Sequence, residues 1–191
     1  MIIGVTGATG AGKTTFVRYL SAKGFEHLSL SDMIRNELNL RGMEITRENL
    51  QDVGNEMRRK FGLGVWAKKV LDIMRPGRNY VIDSIRNPGE IETLAASGDF
   101  ALVAVTAPLE ARFLRMSCRA ERGEKEPATL AAFEKSEARE ADSEQSCNQQ
   151  LDQCVRMAKI IIPNESGLAE FFTKIDKNLS DFQAKNLRSE I

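Results

Sequence analysis

The residues with the plainest chemical meaning are Gly7-Ala8-Thr9-Gly10-Ala11-Gly12-Lys13-Thr14, which satisfy the pattern G-x-x-x-x-G-K-[ST] throughout. A polyphosphate packs several negative charges into a small volume. Glycines let successive backbone N–H groups converge on such an anion, and a helix that starts directly behind them adds its unpaired N–H groups and positive dipole end. Lys13 is then placed to reach the terminal phosphates, and the Thr14 hydroxyl is a suitable Mg²⁺ ligand. With Thr15, these residues form the expected phosphate-binding set. Three further groups could act on a phosphate. Asp83 ends an apolar run, with Arg86 three positions on. Ser31 and Asp32 read as an N-cap pair with Arg35 one turn in. Arg112, Arg115, Arg119 and Arg122 recur at i, i+3, i+7 and i+10, along one helix face. Like charges at that spacing repel by about 0.2–0.5 kcal/mol per pair, so a neutralising anion is one explanation and a solvated basic face the other.

These residues need a scaffold, and the chain alternates strand and helix. Residues 1–5 form a short apolar, β-branched run that stops at the glycines, and Phe16, Val17 and Leu20 behind them keep helical spacing. A second short strand is expected at 27–30, followed by a helix to about Leu40. Thr46 caps another helix carrying Leu50, Val53 and Met57, and a further helical stretch covers 65–74, so 31–75 is a helical insertion. Strands follow at 79–83, 100–106 and 160–162. Helices are expected from Pro88, from Pro108 to about Arg122, across 128–145, up to Val155 and over 168–179. Strands alternating with helices predict an α/β fold, a five-stranded parallel sheet covered on both faces, with its ligand at the C-terminal edge of the strands.

Composition removes other classes. The 191 residues predict about one domain. The 27 Lys and Arg balance 27 Asp and Glu, which argues against a nucleic-acid polymer or a polybasic membrane surface as partner. The balance is local only on average, because residues 112–125 hold five basic and two acidic groups while 126–144 hold two and six. His27 alone cannot make a two-histidine metal site, and Cys118, Cys147 and Cys154 lack metal or disulfide spacing. No apolar run approaches the length of a membrane span and no signal peptide is evident, so a cytoplasmic protein is expected. A GTPase needs a base-reading Asn/Thr-Lys-x-Asp after a strand. Thr173-Lys174-Ile175-Asp176 matches that pattern but lies within the expected last helix. A motor ATPase would follow the aspartate with a glutamate, whereas Ser84 follows Asp83.

The motif set resembles the nucleoside monophosphate kinase-like P-loop kinases over about residues 1–180, including small archaeal and bacterial proteins described as nucleotide kinase or dephospho-CoA kinase-like. Related kinase domains occur fused to deoxycytidylate deaminases, but the H-x-E and P-C-x-x-C deaminase signatures are absent from this sequence. The resemblance implies a single kinase domain over 1–184, with core 1–30, 78–122 and 145–184, acceptor-binding insertion 31–75, lid 123–142 and a flexible tail at 185–191. It implies ATP and Mg²⁺ as cofactors, a small phosphorylated acceptor as partner, and a monomer or homodimer. Residues 28–35 look like the acceptor segment, with Ser31, Asp32 and Arg35 as substrate contacts. Asp83-Ser-Ile-Arg86-Asn-Pro88 is similar to the family's Asp-Gly-x-Pro-Arg, with Ser84 in the glycine position and Arg86 and Pro88 in altered order. Asp83 would hold Mg²⁺ through water. Lys13, Arg86, Arg119 and Arg122 would stabilise the transferring phosphoryl group, while the roles of Arg115 and Arg139 stay open. Asn164, in a segment where Lys159 replaces the family's aspartate, would border the adenine. A monophosphate acceptor needs no general base. A hydroxyl acceptor, as in dephospho-CoA, would need one, and Asp32 is the candidate. A regulatory nucleotide-binding module with little transfer activity is the third possibility.

Overall fold

The computed structural model describes residues 1–120, 129–141, 147 and 149–189, with side chains omitted at 119–120, 136–141 and 183–189. Among the described residues, five strands form one parallel sheet in the order β2-β3-β1-β4-β5: β1 Ile2–Thr6, β2 Glu26–Ser29, β3 Tyr80–Asp83, β4 Phe100–Thr106 and β5 Ile160–Pro163. Alternation along each strand divides the core. Ile3, Val5, Val81, Val103 and Val105 face α1 (Lys13–Ala22) and α9 (Leu168–Ser189), whose Phe16, Leu20, Phe171 and Ile175 cover them. Ile2, Tyr80, Ile82 and Leu102 face the other way. They pack beneath α2 (Leu30–Leu40), α3 (Arg47–Phe61), α4 (Val65–Leu71), α5 (Pro88–Ala95) and α8 (Leu151–Met157). Burying each large apolar side chain contributes about 1.5–3 kcal/mol, so both layers are needed to hold the sheet.

Several boundaries differ from the expectation, two of them for a clear physical reason. The helix after β2 begins at Leu30, with Ser29 in the N-cap position, so Ser31 and Asp32 lie in its first turn rather than capping it. Leu30 is 1% exposed, and seating that leucine in the core decides the start between the two cap-competent serines, Ser29 and Ser31. At the C-terminus α9 continues to Ser189 where a tail was expected from 185. Leu179 and Phe182 carry its apolar stripe on against the sheet layer, and neither glycine nor proline interrupts it. Helix α6 (Leu109–Ala120) and helix α7 (Leu130–Ala141) are joined by residues outside the described set, so the expected lid is seen only over 129–141. Phe133 of α7 is buried, 5.9 Å from the Phe113 ring. Among the described residues no helix is long and apolar enough to cross a membrane.

Candidate active site

The loop after β1 is shaped by three left-handed glycines, Gly7 (φ 135), Gly10 (φ 77) and Gly12 (φ 113). A Cβ at Gly10 would come within 2.7 Å of the Arg112 carbonyl, and one at Gly12 would meet the Asn164 side chain, so neighbouring structure holds the loop tightly. Gly12 is also the N-cap of α1. It has no side chain to satisfy the first-turn N–H groups, and that turn contains no acidic residue. The donors and the dipole are therefore left for an anion. The Lys13 ammonium donates to the Gly7 and Ala8 carbonyls at 2.6 and 2.9 Å, folded over the loop it would share with phosphates.

Carbonyls that turn outward from such a nest need donors behind it. Arg112 donates from Nε to the Ala107 carbonyl at 3.0 Å and from a terminal nitrogen to the Thr9 carbonyl at 3.2 Å. Arg115 donates to the carbonyls of Gly10 (3.2 Å), Ala11 (3.3 Å) and Asn164 (2.9 Å). The buried Asn164 amide donates to the Ala11 carbonyl at 2.8 Å. The structure thus places Arg112, Arg115 and Asn164 on the rear of the loop. Arg112 also lies 5.7 Å from the centre of the Phe133 ring, which links α7 to the same brace.

In front of the loop a cavity of about 490 Å³ opens at the C-terminal edge of the strands. Thr9, Gly10, Gly12, Lys13 and Thr14 line one wall. Ser31, Arg35, Asp83, Ser84 and Arg86 also line it, so the cavity brings together four of the residues singled out in the sequence, Ser31, Arg35, Asp83 and Arg86. Ile34, Arg47, Leu50, Gln51, Arg58, Met116 and Gln149 complete the lining, and sequence reasoning missed all seven. Among the described residues lining it, Lys13 and four arginines face a single carboxylate, Asp83. Asp32 lies outside that lining, its Oδ1 2.7 Å from Arg35. Arg35 also donates to Ser31 Oγ at 2.8 Å, and Arg86 to Gln149 Oε1 at 2.9 Å. The side chain of Arg119 and the whole of Arg122 fall outside the described residues, as does the side chain of Arg139.

Asp83 Oδ1 is buried and has no hydrogen-bond partner, while Oδ2 lies 3.4 Å from His27 Nε2. An unsatisfied carboxylate oxygen on one of the residues lining the cavity, which Thr14 also lines, suits a hard, oxygen-seeking cation such as Mg²⁺. Among the described residues no group of three or more His, Cys, Asp or Glu could hold a metal by itself, so the remaining ligands would come from phosphates and water.

A buried ion pair fixes the wall opposite the phosphate loop. Glu90, 0% exposed, accepts from Arg58 Nε and a terminal nitrogen at 3.0 and 2.8 Å on one oxygen. Its other oxygen accepts the backbone N–H of Arg86 (2.9 Å) and of Asn87 (3.0 Å), and with the Asn87 side chain it closes a capping box on α5. Arg58, on α3, is thereby tied to the loop that carries Arg86. Burial, with the Glu90 carboxylate adding to it, pushes the neighbouring Cys154 thiol up to about 12, which disfavours the thiolate form.

A parallel sheet ordered 2-3-1-4-5, with a glycine loop running into α1, defines a P-loop NTPase fold. The family described as AAA domain matches residues 3–146. A UPF0200 protein of Thermococcus gammatolerans is 33% identical over 147 residues, covering 73% of this chain and 76% of that one. A UPF0200/UPF0201 protein of Archaeoglobus fulgidus is 30% identical over the whole chain, which spans 58% of that longer protein. The chain belongs to the AAA domain family and to the UPF0200 proteins. In three dimensions it is similar to a gluconokinase from Sinorhizobium meliloti, with a TM-score of 0.59 at 16% identity, covering 98% of this chain and 95% of that one, a likeness of fold.

Proposed function

We propose that the protein is an ATP-dependent phosphotransferase that moves the γ-phosphate of ATP to a nucleoside monophosphate. The observation that carries this reading is the cavity itself. It joins an uncapped helix N-terminus and Lys13 to a wall holding Arg35, Arg47, Arg58 and Arg86, with Asp83 as its one carboxylate among the described residues. An acceptor phosphate oxygen is already an anionic nucleophile, so a cationic wall that lacks a second carboxylate suits it. A hydroxyl acceptor would require a base, and Asp32 is engaged by Arg35.

In this mechanism Gly7 to Thr15 hold the donor phosphates, and Asn164 keeps the loop in place beside the base. Thr14, and Asp83 through water, would hold Mg²⁺, which when bound neutralises phosphate charge. Lys13 and Arg86 approach the transferring group from opposite walls, so that catalysis is in-line positioning plus charge stabilisation. Arg35 and Ser31 orient the acceptor. Residues 123–142 act as a lid that excludes water, bringing in Arg119 and Arg122, and residues 1–184 form one kinase domain.

ADP release measured with AMP, CMP, GMP, UMP and dephospho-CoA as acceptors tests the reading. Turnover with a monophosphate is the expected result. Turnover with dephospho-CoA alone would transfer the role of base to Asp32, and ATP binding without turnover on any acceptor would refute phosphotransfer.

A further inference from the structure

Two breaches of local backbone rules meet at one point of the acceptor wall. Ser84 has φ 61, the left-handed region in which glycine is at ease and a side chain is strained; it is the one non-glycine residue with positive φ among the described residues. Ser29 stands at the N-cap of α2, where a serine hydroxyl ordinarily accepts from the first turn, yet its side chain makes no cap bond. Both hydroxyls instead meet Ser31. Ser29 Oγ lies 3.0 Å from Ser31 Oγ and donates to Ser84 Oγ at 3.2 Å, and Ser84 Oγ donates to Ser31 Oγ at 3.2 Å. The three close a ring whose Ser31 and Ser84 line the cavity, and Arg35 donates into it at Ser31. Local rules are broken in natural proteins chiefly where function demands it, and an observed outlier is the proper start of such an argument.

Resting on the acceptor-cavity reading above, we infer that Ser84, supported by Ser29 and Ser31, is a further acceptor-binding residue that donates a hydrogen bond to a phosphate oxygen of the acceptor. The proton inventory allows it. Ser84 accepts from Ser29 and has one proton to give. If that proton swings from Ser31 to a ligand oxygen, Ser31 still accepts from Arg35, so no buried group is left unsatisfied. The incoming oxyanion meets a hydroxyl and a guanidinium together, a pair of donors that suits a phosphate. A glycine at 84 would relieve the backbone and abolish the donor.

The test is calorimetric titration of wild type, Ser84→Ala and Ser84→Gly with AMP, CMP, GMP, UMP and inorganic phosphate, alongside ATP and the Tm of each protein. Ser84→Ala should weaken the best-bound monophosphate about tenfold or more, the scale of a hydrogen bond to a charged group, and leave ATP within about twofold. Ser84→Gly should show the same loss with a Tm equal to or above that of wild type, a combination that a purely structural serine would not give. Unchanged monophosphate affinity in both variants, or no binding of any of these probes by wild type, would overturn the inference. Weakened binding in the variants, in a protein that turns over no acceptor, would uphold the inference and sink the transfer reading.

Discussion

Arg112 and Arg115 behind the phosphate loop and Arg35 and Arg86 in front of it are one residue type put to two uses. The rear pair donates only to carbonyls in the contacts described above, five of them from Thr9 to Asn164, and holds in place a backbone whose N–H groups must point forward. The front pair donates to side chains, Ser31, Asp32 and Gln149, that can exchange places with a ligand. Backbone carbonyls of a tight loop cannot move aside, whereas rotatable hydroxyls and amides can. In the proposed reading the same guanidinium is therefore a brace on one side and a binding group on the other, and the partner decides which.

Predictions that break or sharpen this contrast run from large to small. Glu90→Ala should be the most disruptive, because it leaves Arg58 buried without its partner and two backbone N–H groups of the acceptor wall unsatisfied. A loss of about 3–5 kcal/mol in denaturant unfolding is expected, and a loss below about 1 kcal/mol would show that the front wall of the cavity does not depend on this pair. Lys13→Ala removes the cation of the phosphate loop. It should lower kcat by about 10²–10³-fold with Tm little changed, since its present bonds are to loop carbonyls at the cavity rim. Activity near that of wild type would remove Lys13 from the reaction.

The smallest effect belongs to a site on neither wall. Asp176 accepts from Lys23 at 2.5 Å and from the Tyr19 hydroxyl at 2.7 Å, and the Lys23 ammonium holds its carboxyl below the usual 3.8. A lowered folded-state value means that this stabilisation is complete above the unfolded pKa and fades as pH falls through the folded one. Asp176→Asn should therefore cost a little stability at pH 7 and nothing in strong acid, with ATP and acceptor affinity unchanged. A pH-independent cost would show that the pair acts through packing.

The phosphate loop was legible in the sequence because its function needs glycines at fixed spacing, and β4 because a seven-residue apolar run has no other use in such a chain. Thr46 was legible as a cap, and its hydroxyl accepts the Asn49 N–H at 3.1 Å. What escaped was everything set by the partner across a gap. A stripe of arginines on α6 does not reveal whether phosphates or carbonyls lie opposite. Arg58, followed by Arg59 and Lys60, reads as the solvated end of a helix, though it is 4% exposed. One signal was available: Asn87 and Glu90 stand at capping-box spacing around Pro88, which marks Glu90 as a carboxylate turned toward backbone. The serine ring could not be read at all, since Ser29, Ser31 and Ser84 are joined only by the pairing of β2 with β3.

The most direct test of the two-sided account is a pair of titrations on Arg115→Met and Arg35→Met. ATP and the monophosphate that wild type binds best serve as probes, with Tm as the control for folding. The account predicts that Arg115→Met weakens ATP about tenfold and the monophosphate little, while Arg35→Met does the reverse. Equal losses of both ligands in both variants, or a loss of ATP affinity confined to Arg35→Met, would contradict it.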